Sequence, residues 1–231
     1  MGLLVIGIIF AIISAIVSST LKNKFKRYSR TPLHSNLSGR EIAERMLRDN
    51  GIYDVKVISV QGQLTDHYNP ANKTVNLSEP VFAGRNAAAA AVAAHECGHA
   101  VQHATAYSML RLRTALVPIQ NASAKILNMI MLFSIFGGAF LFRAFPTDLV
   151  LMTIIGTYSV LTLFSFITLP VEINASNRAL KWISSRGIVD QNEYGMAKDA
   201  LKWAALTYVV AALGSLASLL YFLSIFLGRR D

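Results

Sequence analysis

The stretch that decides the fold is His95-Glu96-Cys97-Gly98-His99, which follows the alanine-rich run of residues 86–94. Alanine has the highest helix propensity, so the run predicts a helix that continues through both histidines. Residues four apart lie on one face of a helix, so the two imidazoles can bind one cation. Glu96 lies about 100° further around the helix, beside that cation. The pattern indicates a zinc site in which Glu96 deprotonates a water bound to the metal.

A zinc site of this kind needs a third ligand, and two candidates are available. We favour Glu172, a distant carboxylate, over His103, which lies about 80° from His95 on the same helix. Three ligands on one straight helix converge poorly. Cys97 is the only cysteine, so it cannot form an internal disulfide, and it points to another face of the helix. The alternative interpretation is a polar helix face on which Glu96 is merely solvated.

The composition is that of an integral membrane protein. The chain has 231 residues, of which 53% are hydrophobic and 15% charged, whereas a soluble domain carries about 25% charged residues. The net charge of +9 fits basic residues placed beside apolar spans, as the positive-inside rule expects. No nucleic-acid motif is present, so a nucleic-acid partner is not expected.

The apolar runs divide the chain into five parts. We predict a first transmembrane helix over residues 1–20, a transmembrane hairpin of helices 2 and 3 over residues 126–169, and a fourth transmembrane helix over residues 204–228. The first run is a retained span rather than a signal peptide, because its basic residues follow it. Residues 21–125 form a catalytic domain with the zinc helix at about 86–112, and residues 170–203 form a helical segment that carries the third ligand.

The topology of these spans is consistent with the proposed site. An even number of crossings separates His95 from Glu172, so both can lie on one side of the membrane. That side holds most of the lysine and arginine residues, which predicts the cytoplasmic side of the plasma (inner) membrane. The lipid bilayer is therefore an expected partner.

The segment between the first two spans has mixed structure. The sequence Ser38-Gly39-Arg40-Glu41 is a capping box, and it predicts a helix that ends at Asn50-Gly51. Residues 53–60, 62–68 and 74–78 have the composition of strands. The predicted fold is α+β, mostly helical, with about four transmembrane helices and a small three-stranded sheet beside the zinc helix.

Four stretches carry a resemblance to a known family: residues 95–102 (HECGHAVQ), 64–70 (LTDHYNP), 75–78 (VNLS) and 169–176 (LPVEINAS). Together they resemble the YugP-type membrane neutral zinc metallopeptidases of bacteria. More distantly, the chain is similar to the HtpX-type and CAAX prenyl endopeptidases, which are gluzincins. The resemblance implies a minigluzincin-like catalytic domain, Zn²⁺ as cofactor, and a peptide or membrane-protein substrate.

The resemblance also suggests roles for individual residues. It implies that Glu172 is the third zinc ligand. Ser176 stands where the distant relatives have an aspartate that orients a ligand histidine, so Ser176, Asn174 or Asn177 would take that role. His103 is a further candidate for the outer shell of the site.

The predicted activity is hydrolysis of peptide bonds by a zinc-activated water, with Glu96 as the general base. A donor must stabilise the oxyanion that develops on the substrate, and the candidates are His67, Tyr68 and Arg178. A strand near residues 75–77 could pair with an extended substrate.

Two other functions are compatible with the sequence. The first is an intramembrane metalloprotease with the zinc helix in lipid, although Arg85, Asn86, Glu96, Gln102 and the histidines make such a span costly. The second is a non-proteolytic, zinc-stabilised membrane scaffold, for which a closed site with four ligands is expected.

Overall fold

The computed structural model describes residues 2–136 and 144–229, and these residues form seven helices and three strands. The helices are α1 (Gly2–Tyr28), α2 (Gly39–Asp49), α3 (Glu79–Phe82), α4 (Ala87–Ala104), α5 (Ser108–Phe136), α6 (Thr147–Ser185) and α7 (Gln191–Leu227). The strands are β1 (Lys56–Val60), β2 (His67–Asn69) and β3 (Thr74–Ser78). The predicted α+β fold with a small sheet is confirmed.

The chain divides into two compact units. The first unit comprises Met1–Ala15, Leu112–Leu169 and Tyr208–Asp231, and the second comprises Ile16–Arg111 and Pro170–Thr207. Four of the described helices, α1, α5, α6 and α7, are long and apolar enough to cross a membrane, which confirms the predicted number of spans. Part of the predicted second span, residues 137–142, lies outside the described residues.

The first unit packs through apolar side chains between its helices. Val150 and Ile154 are buried, and the rings of Tyr158 and Phe222 stack with their centroids 5.6 Å apart. Many other apolar side chains of this unit are exposed, including the side chain of Leu4. Exposure of this kind is expected for helices whose surroundings are lipid tails.

The helix boundaries differ from those expected from the sequence. The zinc helix does not run over residues 86–112, because α4 ends at Ala104 and a separate helix, α5, begins at Ser108. Ala106 adopts a left-handed φ of 50°, and the Tyr107 amide donates to the Gln102 carbonyl at 2.9 Å. This is the Schellman arrangement that ends a helix, here with alanine in the position usually held by glycine.

The polar segment expected over residues 170–203 does not form helices of its own. Helix α6 continues through Pro170 to Ser185, and α7 runs without a break from Gln191 to Leu227. Pro170 removes one backbone donor and crowds the preceding turn, but the turns that follow it are held by burial of Val171, Glu172 and Ala175. The segment that carries Glu172 is therefore a direct extension of an apolar helix.

The sheet has the strand order β1-β3-β2, with β1 parallel and β2 antiparallel to β3. All five residues of β3 are buried between its two neighbours. The expectation that residues 75–77 pair with a substrate is therefore wrong, because both edges of β3 are already occupied. Strand β2, which runs antiparallel to β3, forms one edge of the sheet.

Helix α2 begins with the predicted capping box, in which the Ser38 side chain accepts from the Glu41 amide and Glu41 accepts from the Ser38 amide at 2.7 Å. Its apolar face, which includes Ile42 and Met46, is buried in the core of the second unit. The alanine run of α4 lies in the same core. Small side chains on α4 allow its backbone to approach its neighbours closely, which fixes the position of the residues that follow.

A polar cluster joins α1 to α7 within the second unit. The Asp199 carboxylate accepts from the Lys24 ammonium and from the Tyr28 hydroxyl, both at 2.6 Å. Burial raises the pKa of Asp199, but the hydrogen bonds from Lys24 and Tyr28 lower it by more than burial raises it. The pKa of Asp199 therefore lies below the ordinary carboxyl value. Folding therefore favours the charged form of Asp199.

This cluster predicts an acid-sensitive contribution to stability. The contribution of Asp199 is complete above the ordinary carboxyl pKa of about 4 and is lost as the pH falls through the lower folded value. Asp199→Asn should therefore lower the urea midpoint at pH 7 slightly and flatten its pH dependence below about pH 4. The measurement is urea unfolding in detergent, followed by tryptophan fluorescence.

The matched control is Asp54→Asn, which removes a more exposed ion pair with Lys73 and should change the midpoint less. An Asp199→Asn protein with the acid dependence of the unmodified chain would show that this cluster does not stabilise the fold.

Candidate metal centre

Helix α4 presents both histidines of the predicted motif to one place. Its first turn is capped by Asn86, whose side chain accepts from the Ala89 amide at 2.9 Å. The rings of His95 and His99 lie nearly perpendicular, with centroids 4.8 Å apart. Both side chains are largely covered, with 14% and 12% of their surface exposed. The local helix geometry thus brings the two imidazoles together as predicted.

Glu172 reaches the same place from α6. Its Oε2 atom lies 3.4 Å from His95 Nε2 and 3.5 Å from His99 Nε2, and the three ligand atoms all lie within 4.8 Å of one another. Two ligands at about 2.1 Å from a tetrahedral zinc ion are about 3.4 Å apart. The spacing of the carboxylate from each imidazole is therefore that of a zinc coordination shell.

The Glu172 oxygen that faces the histidines has the character of a metal ligand. Among the residues that the structure describes, buried Oε2 has no hydrogen-bond donor. Burying a carboxylate without a compensating cation destabilises a fold by roughly several kcal/mol, because the ion loses its hydration by water. The two nitrogens and one oxygen also form a donor set that zinc prefers. The residues present therefore fit a zinc ion.

The charges at the site influence one another. Burial raises the pKa of Glu172, but the facing imidazoles of His95 and His99 lower it more, so it lies well below its ordinary value. Burial lowers the pKa of His99, whereas Glu172 and Glu96 raise it, with a net increase above the ordinary value. The Glu172 carboxylate is thus ionised at neutral pH, as a metal ligand must be.

Gln102 orients the ring of His99. Its amide nitrogen donates to the Val171 carbonyl at 2.7 Å and to Asn174 Oδ1 at 3.0 Å. Its oxygen lies 3.0 Å from His99 Nδ1, so it accepts the Nδ1 proton and leaves the Nε2 lone pair for the metal. Gln102 is completely buried. Sequence reasoning gave this residue no role, although its position three residues after His99 places it on the same face.

Ser176 contacts the ring of His95, with its Oγ 3.1 Å from His95 Nδ1. Of the other residues expected around the ligands, Asn174 contacts Gln102 and Arg178. His103 is exposed and pairs with the Tyr68 hydroxyl through Nδ1 at 2.8 Å. Asn177 is exposed and lines a groove with Lys181 and Tyr194, and neither His95 nor His99 lines this groove.

Glu96 is held by strand β2. Its Oε2 atom accepts from the Tyr68 backbone amide at 3.0 Å, and only 8% of the residue is exposed. This contact joins the strand to the face of α4 that lies beside the ligands. A backbone donor leaves no signature in the sequence, so only the fold reveals it.

The two helices that carry the candidate ligands contact each other at Gly98. A Cβ atom at this position would lie 2.5 Å from the Ala175 carbonyl oxygen, a distance that real Cβ atoms do not reach. Glycine is therefore required where α4 crosses α6. The same crossing places Ser176 beside His95 and Val171 beside Gln102.

The remaining predicted site residues lie in several places. His67 is exposed, and its Nδ1 lies 2.8 Å from the Thr65 carbonyl. Arg178 donates from Nε to Asn174 at 2.8 Å. Cys97 is buried, its thiol donates to the Ala43 carbonyl at 3.6 Å, and burial raises its pKa. Cys97 therefore points away from the metal-binding group, as the helix spacing indicated.

Comparisons with known proteins found similarity to a metallopeptidase family. A family model described as "Putative neutral zinc metallopeptidase" matches residues 3–227. The chain is similar to the "Putative membrane protease YugP" of Bacillus subtilis (strain 168), with 44% identity over 211 residues, which are 91% of this chain and 90% of that protein. No solved structure matches the chain. The predicted resemblance to this family is confirmed.

The close crossing at Gly98 yields a stability prediction. Gly98→Ala should destabilise the protein by about 3 kcal/mol and reduce its zinc content, because the added methyl group forces α4 and α6 apart. The measurement is urea unfolding in detergent together with metal analysis of the purified protein.

Gly195→Ala is the matched control, since Gly195 is a helical glycine with open space where its Cβ would be. It should stabilise the protein by about 0.5–1 kcal/mol. Equal stability for the two variants would contradict the steric argument.

The outer-shell contacts yield a prediction about metal affinity. Ser176→Ala should weaken zinc binding about 10-fold and Gln102→Leu about 100-fold, because each leaves a ligand imidazole without its orienting partner. Affinity is measured by competition with a chelating dye. Ser165→Ala, which removes a hydroxyl bonded within α6 to the Leu161 carbonyl, should leave the affinity unchanged. Unaltered affinity in the first two variants would contradict the assigned contacts.

Proposed function

The chain belongs to the neutral zinc metallopeptidase family, and on that premise we propose that it is a membrane-bound, zinc-dependent endopeptidase. We propose His95, His99 and Glu172 as the metal ligands. The observation that carries this proposal is the buried Glu172 Oε2, which faces two imidazole nitrogens and has no donor among the described residues.

The proposed general base is Glu96. A bound zinc ion supplies a Lewis acid that activates a water molecule and polarises the scissile carbonyl. The Tyr68 amide holds Glu96 Oε2, which leaves Oε1 to accept the proton of the attacking water. Glu96 then passes that proton to the leaving amine.

Tyr68 is the best supported of the three candidates for stabilising the oxyanion. Its amide contacts the proposed base, and burial raises the pKa of its hydroxyl, which stays protonated at neutral pH and lies 2.8 Å from His103 Nδ1. His67 is the next candidate, because it precedes Tyr68 on the same strand. Arg178 is the least supported, because its guanidinium contacts Asn174 rather than a residue of the metal-binding group.

An open site favours an enzyme over a structural zinc scaffold. Within the described ranges, the metal-binding group contains His95, His99 and Glu172. His103, which would have to close the site, is engaged with Tyr68. Three protein ligands leave the fourth position to water and substrate, as in catalytic zinc sites.

The position of α4 favours catalysis outside the lipid. Helix α4 is not one of the four candidate spans of the described chain, and most of its residues are buried by protein. We propose that the site faces the cytoplasm from the plasma membrane, because several basic residues directly follow the first apolar run. They are Lys22, Lys24, Lys26, Arg27 and Arg30. The substrate would be a peptide or a membrane protein.

The role of Glu96 is tested with Glu96→Gln. This variant should retain zinc and lose about 100- to 10,000-fold of the peptide cleavage rate, because the amide cannot accept the proton. Cleavage is measured on fluorescent casein, and the inactive variant is used to capture substrates from native membranes for peptide mass spectrometry. Glu79→Gln, which changes an exposed glutamate, should behave like the unmodified chain. Full activity of Glu96→Gln would overturn the mechanism.

The cytoplasmic location is tested by thiol labelling. Native Cys97 is fully buried, so it cannot report accessibility and is replaced by serine. In that background, Ser184→Cys places a thiol at an exposed position of the second unit. An impermeant maleimide should label it in inside-out vesicles and leave it unlabelled in right-side-out vesicles. The reverse pattern would place the metal centre outside the cell.

A further inference from the structure

A basic groove lies beside α6 in the second unit. It has a volume of about 410 Å³, and its lining includes Asn50, Val101, Asn174, Arg178, Lys181 and Trp182. Asn174, Arg178 and Lys181 follow one another at intervals of four and three residues, so they form one stripe of the helix. The position of Asn174 is about 200° around α6 from that of Glu172. The groove is therefore distinct from the face that carries the metal ligand.

The chemistry of this basic groove suits an anion. Its lining contains two cationic side chains, Arg178 and Lys181, and no carboxylate among the described residues that form it. The nearby Asp49 accepts from Trp182 Nε1 at 3.0 Å and forms an ion pair with Arg186, whose Nε lies 2.9 Å away, so its charge is already compensated. Arg178 uses Nε to contact Asn174, which leaves the outer edge of its guanidinium for an oxyanion.

A continuous series of hydrogen bonds leads from the groove to a metal ligand. Arg178 Nε donates to Asn174 Oδ1 at 2.8 Å, and Gln102 Nε2 donates to the same oxygen at 3.0 Å. The other end of the Gln102 amide lies 3.0 Å from His99 Nδ1. Arg178 therefore helps to fix the amide that orients His99, although it lies on a different stripe of α6 from Glu172.

We propose that the basic groove binds a small anionic group, phosphate or carboxylate, on Arg178 and Lys181, and that its occupancy strengthens metal binding. An anion on the outer edge of Arg178 holds the guanidinium in place, and this in turn holds Asn174, Gln102 and His99 in the geometry that the metal requires. The coupling rests on the proposed metal site, whereas anion binding does not.

Anion binding is tested first on the metal-free, full-length protein in detergent. Trp182 lines the groove, so its fluorescence is followed in a Trp203→Phe background during titration with inorganic phosphate or acetate at constant ionic strength. We expect a saturable change that Arg178→Gln or Lys181→Gln weakens at least 10-fold, on the order of the loss of a charge-assisted contact. Lys56→Gln, an exposed change on β1, should leave it intact.

Each outcome of this titration decides the binding half of the proposal. Saturation by phosphate alone assigns a phosphate group, and saturation by acetate alone assigns a carboxylate. No saturable change, or an equal change in Lys181→Gln, overturns the groove as an anion site. Reactivity of Cys97 toward a thiol reagent is the folding control. This thiol is buried in the native chain, so it should remain unreactive in each folded variant.

The coupling is tested with cobalt in place of zinc, whose visible absorption reports the ligand geometry. The anion should tighten cobalt binding about threefold, below the usual effect of an outer-shell contact, and should shift the spectrum. Both effects should be absent in Lys181→Gln. The same effects in Lys181→Gln would place the anion on the metal itself and overturn the coupling. Because neither readout requires peptide cleavage, failure here is distinguishable from failure of the proposed peptidase activity.

Discussion

The candidate metal centre depends on one carboxylate that is buried opposite two imidazoles. Glu172 is 3% exposed, and the oxygen nearest the histidines has no donor among the described residues. Such a group destabilises a fold unless a cation neutralises it, and the cost exceeds that of most other single contacts. The burial of Glu172 opposite the two imidazoles is therefore consistent with a site for a metal ion. The surrounding contacts keep the two imidazoles directed at this carboxylate.

Close helix packing makes this arrangement possible. Alanines along α4 and the glycine at Gly98 let α4 approach α6 until backbone atoms touch. Two polar contacts follow from this proximity, Ser176 to His95 and Gln102 to the α6 backbone. Larger side chains on α4 would keep Glu172 out of reach of the histidines. The small residues of α4 therefore matter for the close approach of the two helices as well as for helix formation.

The polar contacts around the ligands extend the centre in two directions. On one side, strand β2 holds the proposed base Glu96 through a backbone amide. On the other side, Gln102 and Asn174 connect His99 to Arg178. Each connection relies on a group that is neither a ligand nor a member of the predicted motif. The metal centre is thus supported by elements that are far from it in the sequence.

The sequence by itself determined the features that depend on neighbouring residues: the helix through His95 and His99, the capping box at Ser38, the three strands and the number of apolar spans. Their physical basis is local, since helix periodicity, caps and apolar run lengths act over a few residues. The sequence also pointed to Glu172, as a distant carboxylate that the predicted spans place on the same side as His95, and to Ser176 through resemblance to a family. Only the tertiary structure decided that β3 is central, that α4 ends at Ala104, and that Gln102 and the Tyr68 amide hold the site. Those outcomes depend on contacts between residues that are distant along the chain, and on backbone donors that every residue except proline possesses.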